Sequence, residues 1–176
     1  MIFMEESKMS NFECFYDEES GRYIVKGARI LFPNFEGAEQ DYNQAGKRNF
    51  RLQLDKDTAE EMKSRGVYVR FREARDETED DQYLMKVGIY QDADIRLLSG
   101  RAMTALTPET FELVDREFRK GHVANGDISL EFHISKNTRV TASSPYARVD
   151  TMIIPIRKSR LLTEYEDYDS DDELPM

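Results

Sequence analysis

The segment Val67–Glu73 alternates between two kinds of side chain. Val67, Val69 and Phe71 occupy the odd positions, and the even positions hold Tyr68 followed by two arginines. Successive side chains of a β-strand point to opposite faces, so the pattern predicts a strand with one core face and one aromatic, cationic face. Guanidinium groups neutralise phosphates, and an aromatic ring stacks on a base. That pairing of side chains is suited to a single-stranded nucleic acid.

Other cations and tyrosines of the same character are interleaved through the chain. We predict a cationic groove in which arginines and lysines contact phosphates while tyrosines stack on bases, a mode of binding that tolerates any base sequence. The candidate residues are Arg29, Tyr42, Lys47, Arg48, Arg51, Tyr68, Arg70, Arg72, Lys86, Tyr90, Arg96 and Arg148. On the residues alone an alternative stays open, in which these arginines only solvate the outer face of a sheet and pair with its carboxylates.

The residues offer little support for catalysis. The sequence contains no glycine-rich phosphate loop, no GxSxG turn and no HExxH helix. Cys14 has no cysteine to pair with, and His122 and His133 are the only histidines, which argues against disulfide and zinc chemistry. Carboxylates are numerous, but most lie in runs that should face solvent, so a metal-dependent nuclease is the least favoured alternative. We predict a protein that is not an enzyme and needs no metal or cofactor.

Negative charge is concentrated at the C-terminus. Residues 164–176 hold seven acidic and no basic residues, and without them the net charge changes from -10 to -3. A block of like charge this dense is expected to be disordered. We predict that it occupies the protein's own groove and docks on partner proteins; the alternative is a solvated end that only aids solubility. The residues assigned to this tail site are Glu164, Asp167, Asp169, Asp171, Asp172, Glu173, Leu174 and Met176.

A second acidic cluster, Asp76–Asp81, holds five carboxylates in six residues and reads as an exposed loop. The segments around it are basic: residues 22–75 contain twelve Lys and Arg against eight Asp and Glu, and residues 116–160 contain nine against four. Charge is therefore segregated along the chain, with cations in the segments that are expected to fold.

A periodicity of two dominates the remaining sequence and predicts five to seven strands. The clearest lie at Tyr23–Phe32, Arg48–Asp55, Val67–Glu73, Tyr83–Tyr90, Ile128–Ile134 and Ala147–Ile156. Pro33-Asn34 should end the first strand, and Gly88 is expected at a bulge or bend. A short helix should begin at the cap-like pair Asp57-Thr58, and a second should run from Thr107-Pro108 to about Lys120.

These elements predict a mainly β fold: an OB-like small antiparallel barrel with one or two short helices and a disordered acidic C-terminal tail. A β-sandwich is the alternative. We expect an N-terminal extension at 1–22, one domain at 23–160 and the tail at 161–176. No apolar stretch is long enough for a membrane helix, and no signal peptide is evident, so we expect an intracellular protein with no membrane partner.

Two motifs resemble a known family. Ala28–Phe35 (ARILFPNF) and Tyr42–Phe50 (YNQAGKRNF) are similar to the opening of tailed-phage single-stranded DNA-binding proteins, and the similarity covers roughly residues 24–90. The resemblance implies an OB-fold module for phage replication and recombination, acting in the cytoplasm of the infected host. It also implies that the acidic tail recruits polymerase, helicase or recombination partners, although this tail ends in Leu174-Pro175-Met176 where many end in an aromatic residue.

The resemblance also points to individual positions without giving their separate roles. They are Arg29, Phe32, Phe35, Tyr42, Asn43, Gly46, Arg48, Asn49 and Phe50. Strand parity favours the core for Phe32 and Phe50, and Arg29 and Arg48 are the better candidates for phosphate contact. The expected function is to coat single-stranded DNA with low base preference. The alternative is an acidic DNA mimic or partner-docking protein that binds a host DNA-binding protein and no nucleic acid; charge segregation argues against it.

Overall fold

The computed structural model describes residues 11–39, 46–136 and 144–157, which form ten strands and two short helices. The strands are β1 Glu13–Asp17, β2 Arg22–Ala28, β3 Ile30–Asn34, β4 Arg48–Leu54, β5 Val69–Arg72, β6 Gln82–Ile89, β7 Asp94–Ser99, β8 Ala102–Ala105, β9 Ile128–Ser135 and β10 Tyr146–Pro155. The helices are α1 Lys56–Ser64 and α2 Glu112–Arg119, the latter preceded by a 3-10 turn at Pro108–Thr110. The predicted mainly β class with short helices is confirmed. Neither described helix is long and apolar enough to cross a bilayer.

All ten strands belong to one sheet with the path β1-β2-β9-β10-β6-β4-β3. Off this path, β5 pairs with β6, β7 pairs with β10, and β8 extends β7 as a hairpin. Strand β10 runs parallel to both β6 and β7, whereas the other ladders are antiparallel. The sheet is therefore mixed, whereas the sequence predicted an antiparallel sheet.

The two distant parts of the path meet in one bent segment. Strands β2 and β3 are separated only by Arg29, yet β2 pairs with β9 and β3 pairs with β4. At the bend the Gln53 N–H donates to the Arg29 carbonyl at 3.0 Å. No ladder of the described residues closes the sheet; the backbone at Arg29 joins its ends. A partly open, strongly curved arrangement of this kind is OB-like, as the sequence predicted.

The core lies inside this curve and is built by alternating residues. In β4 the buried apolar residues are Phe50, Leu52 and Leu54, with Gln53 buried on the opposite face, and the ring of Phe50 stacks on Phe35 with centroids 5.7 Å apart. Stacked aromatic pairs at this spacing contribute beyond the area that they bury. Leu52 pairs with Met85 of β6, which is also fully buried. The side chains between these positions are consequently on the outer surface.

The helices begin and dock through specific side-chain bonds. Asp55 caps α1 by accepting from the Thr58 N–H at 2.8 Å, two residues before the expected Asp57-Thr58 start. The second helix follows a proline turn, as Thr107-Pro108 predicted. Within it, the buried Asp115 carboxylate accepts from the backbone N–H groups of Phe35 and Glu36 at 3.0 and 2.9 Å. This carboxylate ties α2 to the end of β3.

Several sequence expectations need correction. β1 lies within the segment taken as an N-terminal extension and pairs with β2, because its backbone completes an otherwise open edge. The β7–β8 hairpin was not expected, since β8 has no buried face to produce alternation. Pro33 and Asn34 lie inside β3, where a register shift accommodates them. The β4–β6 register continues through Gly88 without a bulge. Tyr42, Asn43 and the tail at 161–176 lie outside the described residues.

Removing the Asp115 carboxylate should lower stability. Asp115→Ala leaves the N–H of the buried Phe35 without an acceptor, an arrangement that costs about 1–3 kcal/mol. The measurement is the free energy of unfolding from urea titration followed by circular dichroism.

Glu112→Gln is the matched control on the same helix. It removes an exposed ion pair with Arg116, worth about 1 kcal/mol or less. Equal stability of the two variants would contradict the role given to Asp115.

Candidate functional site

Three cations form a cluster on the outer surface of β4, β5 and β6, which we call the cationic face: Arg51, Arg70 and Lys86. Arg51 is the cross-strand partner of Lys86, and Arg70 is paired with Leu84, two residues from Lys86 on the same side of β6. Arg51 and Lys86 lie between buried residues of their own strands, and Arg70 follows the buried Val69, so core packing turns all three outward. The alternation predicted for Val67–Glu73 is confirmed for Val69 and Arg70 and is wrong for Phe71, which is 48% exposed.

Like charges crowd this cluster. Burial, followed by the charge of Arg70, lowers the pKa of Arg51. Desolvation and the charges of Arg51 and Lys47 lower the pKa of Lys86. Each shift means that the protonated form is less favourable here than in water. The cluster is therefore under electrostatic strain that an added anion would relieve.

The described residues place no carboxylate in an ion pair with Arg51, Arg70 or Lys86. The Nη1 atom of Arg51 is buried without a hydrogen-bond partner, and so is Oε1 of the neighbouring Gln53. Buried polar groups are normally satisfied, so an unpaired pair of this kind needs an explanation. Both atoms are shielded from solvent, so they are a local cost to the stability of this part of the sheet.

The other half of the same outer surface is different. On β2, Arg22 lies 3.6 Å from Glu131 and 3.5 Å from Asp150. On β10, Arg148 lies 2.8 Å from Asp92. The alternative that the outer arginines pair with carboxylates therefore applies to Arg22 and Arg148, whereas no such pair is formed by the cationic face among the described residues. Ion pairing therefore distinguishes the two halves of the outer surface. The arginines of β2 and β10 are paired with carboxylates, and the cationic face on β4, β5 and β6 is open to a ligand.

A groove of about 360 Å³ borders the cationic face, and we call it the tyrosine groove. Its lining includes Lys47, Arg48, Asn49, Lys86, Gly88, Tyr90 and Tyr146. Lys86 belongs to both the groove and the cationic face, so the two are continuous. The groove combines aromatic rings with ammonium groups, as a site for a base and its phosphate requires.

The ring of Tyr90 is held by its neighbours. The guanidinium carbon of Arg148 lies 4.0 Å from the ring centroid, and Arg148 is fixed in turn by Asp92. A Cβ atom at Gly88 would lie 3.1 Å from Cε2 of Tyr90, tighter than most real contacts. Gly88 therefore makes room for the ring, which explains a glycine inside a regular strand. Arg148 orients Tyr90, and its own charge is already paired.

The remaining predicted residues are spread around these two features. Tyr68 is 76% exposed, and it is close enough to Arg51 for an electrostatic interaction between the two side chains. Arg29 is at the bend, alternating with the buried Ala28 and Ile30, and its carbonyl accepts from Gln53. These positions border the cationic face.

Three other predicted arginines lie outside the cationic face. Arg48 donates to the Pro108 carbonyl at 3.2 Å and lies over the Phe111 ring, so it braces the turn before α2. Arg96 pairs with Asp94 on β7 at 3.0 Å, away from the cluster. Arg72 lines a small cleft with residues of the acidic loop, which is exposed as predicted. None of the three belongs to the cationic face.

Strand parity placed both Phe32 and Phe50 in the core, which is right for Phe50 and wrong for Phe32. Phe50 is fully buried, but Phe32 is 61% exposed. Its φ is 51°, and among the described residues it is the non-glycine residue with a positive φ. The register shift between Leu31 and Asn34 inserts an extra residue and breaks the alternation there. Pro33 indicated an irregularity in this strand, because a proline cannot donate to a ladder, but nothing in the local sequence indicated a positive φ at Phe32.

Comparison with known proteins finds a family model that matches part of the chain. Residues 17–99 match the family model described as a putative phage ssDNA-binding domain. This confirms the resemblance drawn from the two motifs, and the family is one of binding proteins and not enzymes. A comparison with curated proteins gives no match. All three residues of the cationic face lie within the matched segment.

Among solved structures, the chain is similar to three structures of the single-stranded DNA-binding protein from bacteriophage Enc34. The C-terminal truncation is 12% identical, covers 80% of this chain and 88% of that chain, and has a TM-score of 0.48. The complex with ssDNA is 10% identical with a TM-score of 0.46, covering 80% and 89%. The protein alone is 11% identical with a TM-score of 0.46, covering 80% and 88%.

Reversing one charge of the cationic face should raise stability at low salt. Arg70→Glu replaces repulsion of Arg51 by attraction, and we expect a gain of about 0.5 kcal/mol in the free energy of unfolding. The gain should disappear at about 1 M salt, where screening is strong. Urea titrations at both ionic strengths measure it.

The control for Arg70→Glu is Arg101→Glu in the exposed β7–β8 turn, where no cation cluster is relieved. A loss of stability in the Arg70 variant at low salt, or the same gain in both variants, would contradict the inferred repulsion.

Proposed function

Because residues 17–99 belong to the phage ssDNA-binding domain family, we propose that this chain coats single-stranded DNA with low sequence preference. The proposed setting is phage DNA replication or recombination in the cytoplasm of an infected cell. The observation that carries the proposal is the cationic face, whose three charges have no carboxylate partner among the described residues. A phosphate backbone is the polyanion that such a face fits.

The proposed path of the DNA follows the outer surface of β4, β5 and β6. Arg51, Arg70 and Lys86 contact successive phosphates, and each neutralised phosphate releases counterions. Desolvation, followed by the charges of Arg51 and Lys47, lowers the pKa of Lys86, and a nearby phosphate offsets the contribution of those two charges.

Bases are proposed to stack at the two edges of this path. Tyr90 presents a ring that Arg148 and Gly88 hold in place, at the mouth of the tyrosine groove. Tyr68, at the start of β5, presents a largely exposed ring beside Arg51. Lys47, Arg29 and Arg72 border the path and add positive potential. Stacking accepts every base, which gives the low sequence preference.

The acidic tail is proposed to regulate this surface and to recruit partners. Residues 164–176 carry seven carboxylates, and the cationic face offers an unpaired site for them. A tail that competes with DNA keeps the groove occupied until a strand displaces it, and a displaced tail is then free to dock on a replication or recombination protein. In this proposal the folded domain includes β1, and 161–176 is a separate segment.

Removing two charges of the cationic face should weaken DNA binding and flatten its salt dependence. For Arg51→Gln with Arg70→Gln we expect at least about a tenfold loss of affinity at low salt. The slope of log affinity against log salt should fall by about 1.4, because each phosphate contact on a single strand contributes about 0.7. Fluorescence anisotropy with a labelled oligonucleotide at several salt concentrations measures both.

The matched double control is Arg96→Gln with Arg101→Gln, which removes the same charge from the β7–β8 hairpin. Parallel salt lines for wild type and the Arg51/Arg70 variant would remove these arginines from the site. Failure of the wild-type chain to bind single-stranded DNA, with and without the tail, would instead remove the proposed function and promote the DNA-mimic alternative.

Truncating the chain after Thr163 should tighten DNA binding, most clearly at low salt where screening is weak. The physical reason is that seven carboxylates no longer compete for the cationic face. Anisotropy titrations of full-length and truncated chains over the same salt series measure the difference. Equal affinities at the lowest salt would eliminate competition by the tail and leave recruitment as its only proposed role.

A further inference from the structure

Phe32 combines two features that are costly for a folded protein. Its side chain is 61% exposed, so the ring contributes little to the core. Its backbone has φ of 51°, a conformation that glycine adopts readily and a bulky residue adopts only under constraint. An aromatic residue at such a position is worse for stability than glycine or asparagine.

Hydrogen bonds on both sides of Phe32 hold this backbone in place. Before it, the Asn125 side chain accepts from the Ile30 N–H and donates to the Ile30 carbonyl, both at 2.8 Å. After it, the Asn34 side chain exchanges two bonds of 2.9 Å with the backbone of Ala38. Beyond that, Asp115 accepts from two further backbone N–H groups. The fold over-determines the segment, which is how backbone strain persists at functional positions.

The register places Phe32 next to the cationic face. Its neighbour Leu31 pairs with Arg51, and Asn34 pairs with Asn49, a residue that lines the tyrosine groove. The extra residue of β3 lies between these two pairs, so Phe32 directly follows the ladder partner of Arg51. An exposed aromatic residue therefore lies on the terminal strand of the sheet path, one residue along the chain from the ladder position of Arg51.

We propose that Phe32 is a base-stacking residue at the β3 edge of the DNA path, placed there by the strained bulge. This inference rests on the proposed function and extends its site beyond the tyrosines. The occupant is a nucleobase because the adjacent group is an unpaired cation suited to its phosphate, and a ring beside a phosphate site is the arrangement that single-strand binding uses. The bulge turns outward a side chain that regular alternation would have buried.

A tryptophan at this position reports stacking directly, because the chain contains no tryptophan of its own. Phe32→Trp should bind DNA, and its indole emission should be quenched on addition of an unlabelled oligonucleotide. Phe15→Trp is the matched control: Phe15 is 49% exposed on β1, at the opposite end of the sheet path from β3. Quenching confined to the Phe32 variant is expected; no quenching there while DNA binds overturns the proposal.

Affinity and stability should change in different directions at this position. Phe32→Gly removes the ring and relieves the positive φ, so we expect about 5- to 150-fold weaker DNA binding with an unchanged or higher urea midpoint. Phe15→Ala should leave DNA affinity unchanged. Unaltered affinity of Phe32→Gly overturns the stacking role, and a lowered urea midpoint shows that the ring serves the fold.

The two failures are distinguishable. If wild type and both tryptophan variants fail to bind the oligonucleotide in anisotropy, the proposed function is wrong. If they bind, and substitution of Arg51 and Arg70 weakens binding while Phe32→Gly does not, only the stacking role of Phe32 is wrong.

Discussion

The bend at Arg29 is the constraint on which the rest of the sheet depends. A strand has two hydrogen-bonding edges, and the segment from β2 to β3 pairs with β9 before the bend and with β4 after it. Asn125 fixes the first residue after the bend through both of its backbone groups, and Gln53 bonds the carbonyl of Arg29 itself. This change of partner connects the β9–β10 half to the β4–β6 half a second time, in addition to the ladder between β10 and β6.

Curvature has a second consequence, because it separates one outer surface into two halves with different electrostatics. On the β2–β9–β10 half, cations and carboxylates interlock, and Asp150 contacts both Arg22 and His133. On the β4–β5–β6 half, the carboxylates of the region are gathered into the exposed loop at 74–81 and leave the strand cations unpaired. Segregation of charge along the sequence thus becomes segregation across the surface.

Residue types and spacing were sufficient to predict the cationic face, because alternation is a local property. Arg51 and Arg70 face outward since their strand neighbours are apolar, and a period of two is visible without knowing the fold. Pairing is not local: Arg148 and Asp92 are 56 residues apart, and nothing in either segment shows that one neutralises the other. The same reason explains Phe32, whose backbone is set by Asn125 and Asp115 from distant elements.

The features that cost this fold stability coincide in space. Arg51, with its unpaired Nη1 atom and like-charged neighbours, is the ladder partner of Leu31, and the strained backbone of Phe32 follows directly. Local departures from stable design are expected where a protein binds its ligand. In the proposed function, a bound strand places a phosphate beside Arg51 and gives the exposed ring of Phe32 a partner. On that proposal, the bulge and the cationic face are parts of one site for the nucleic acid.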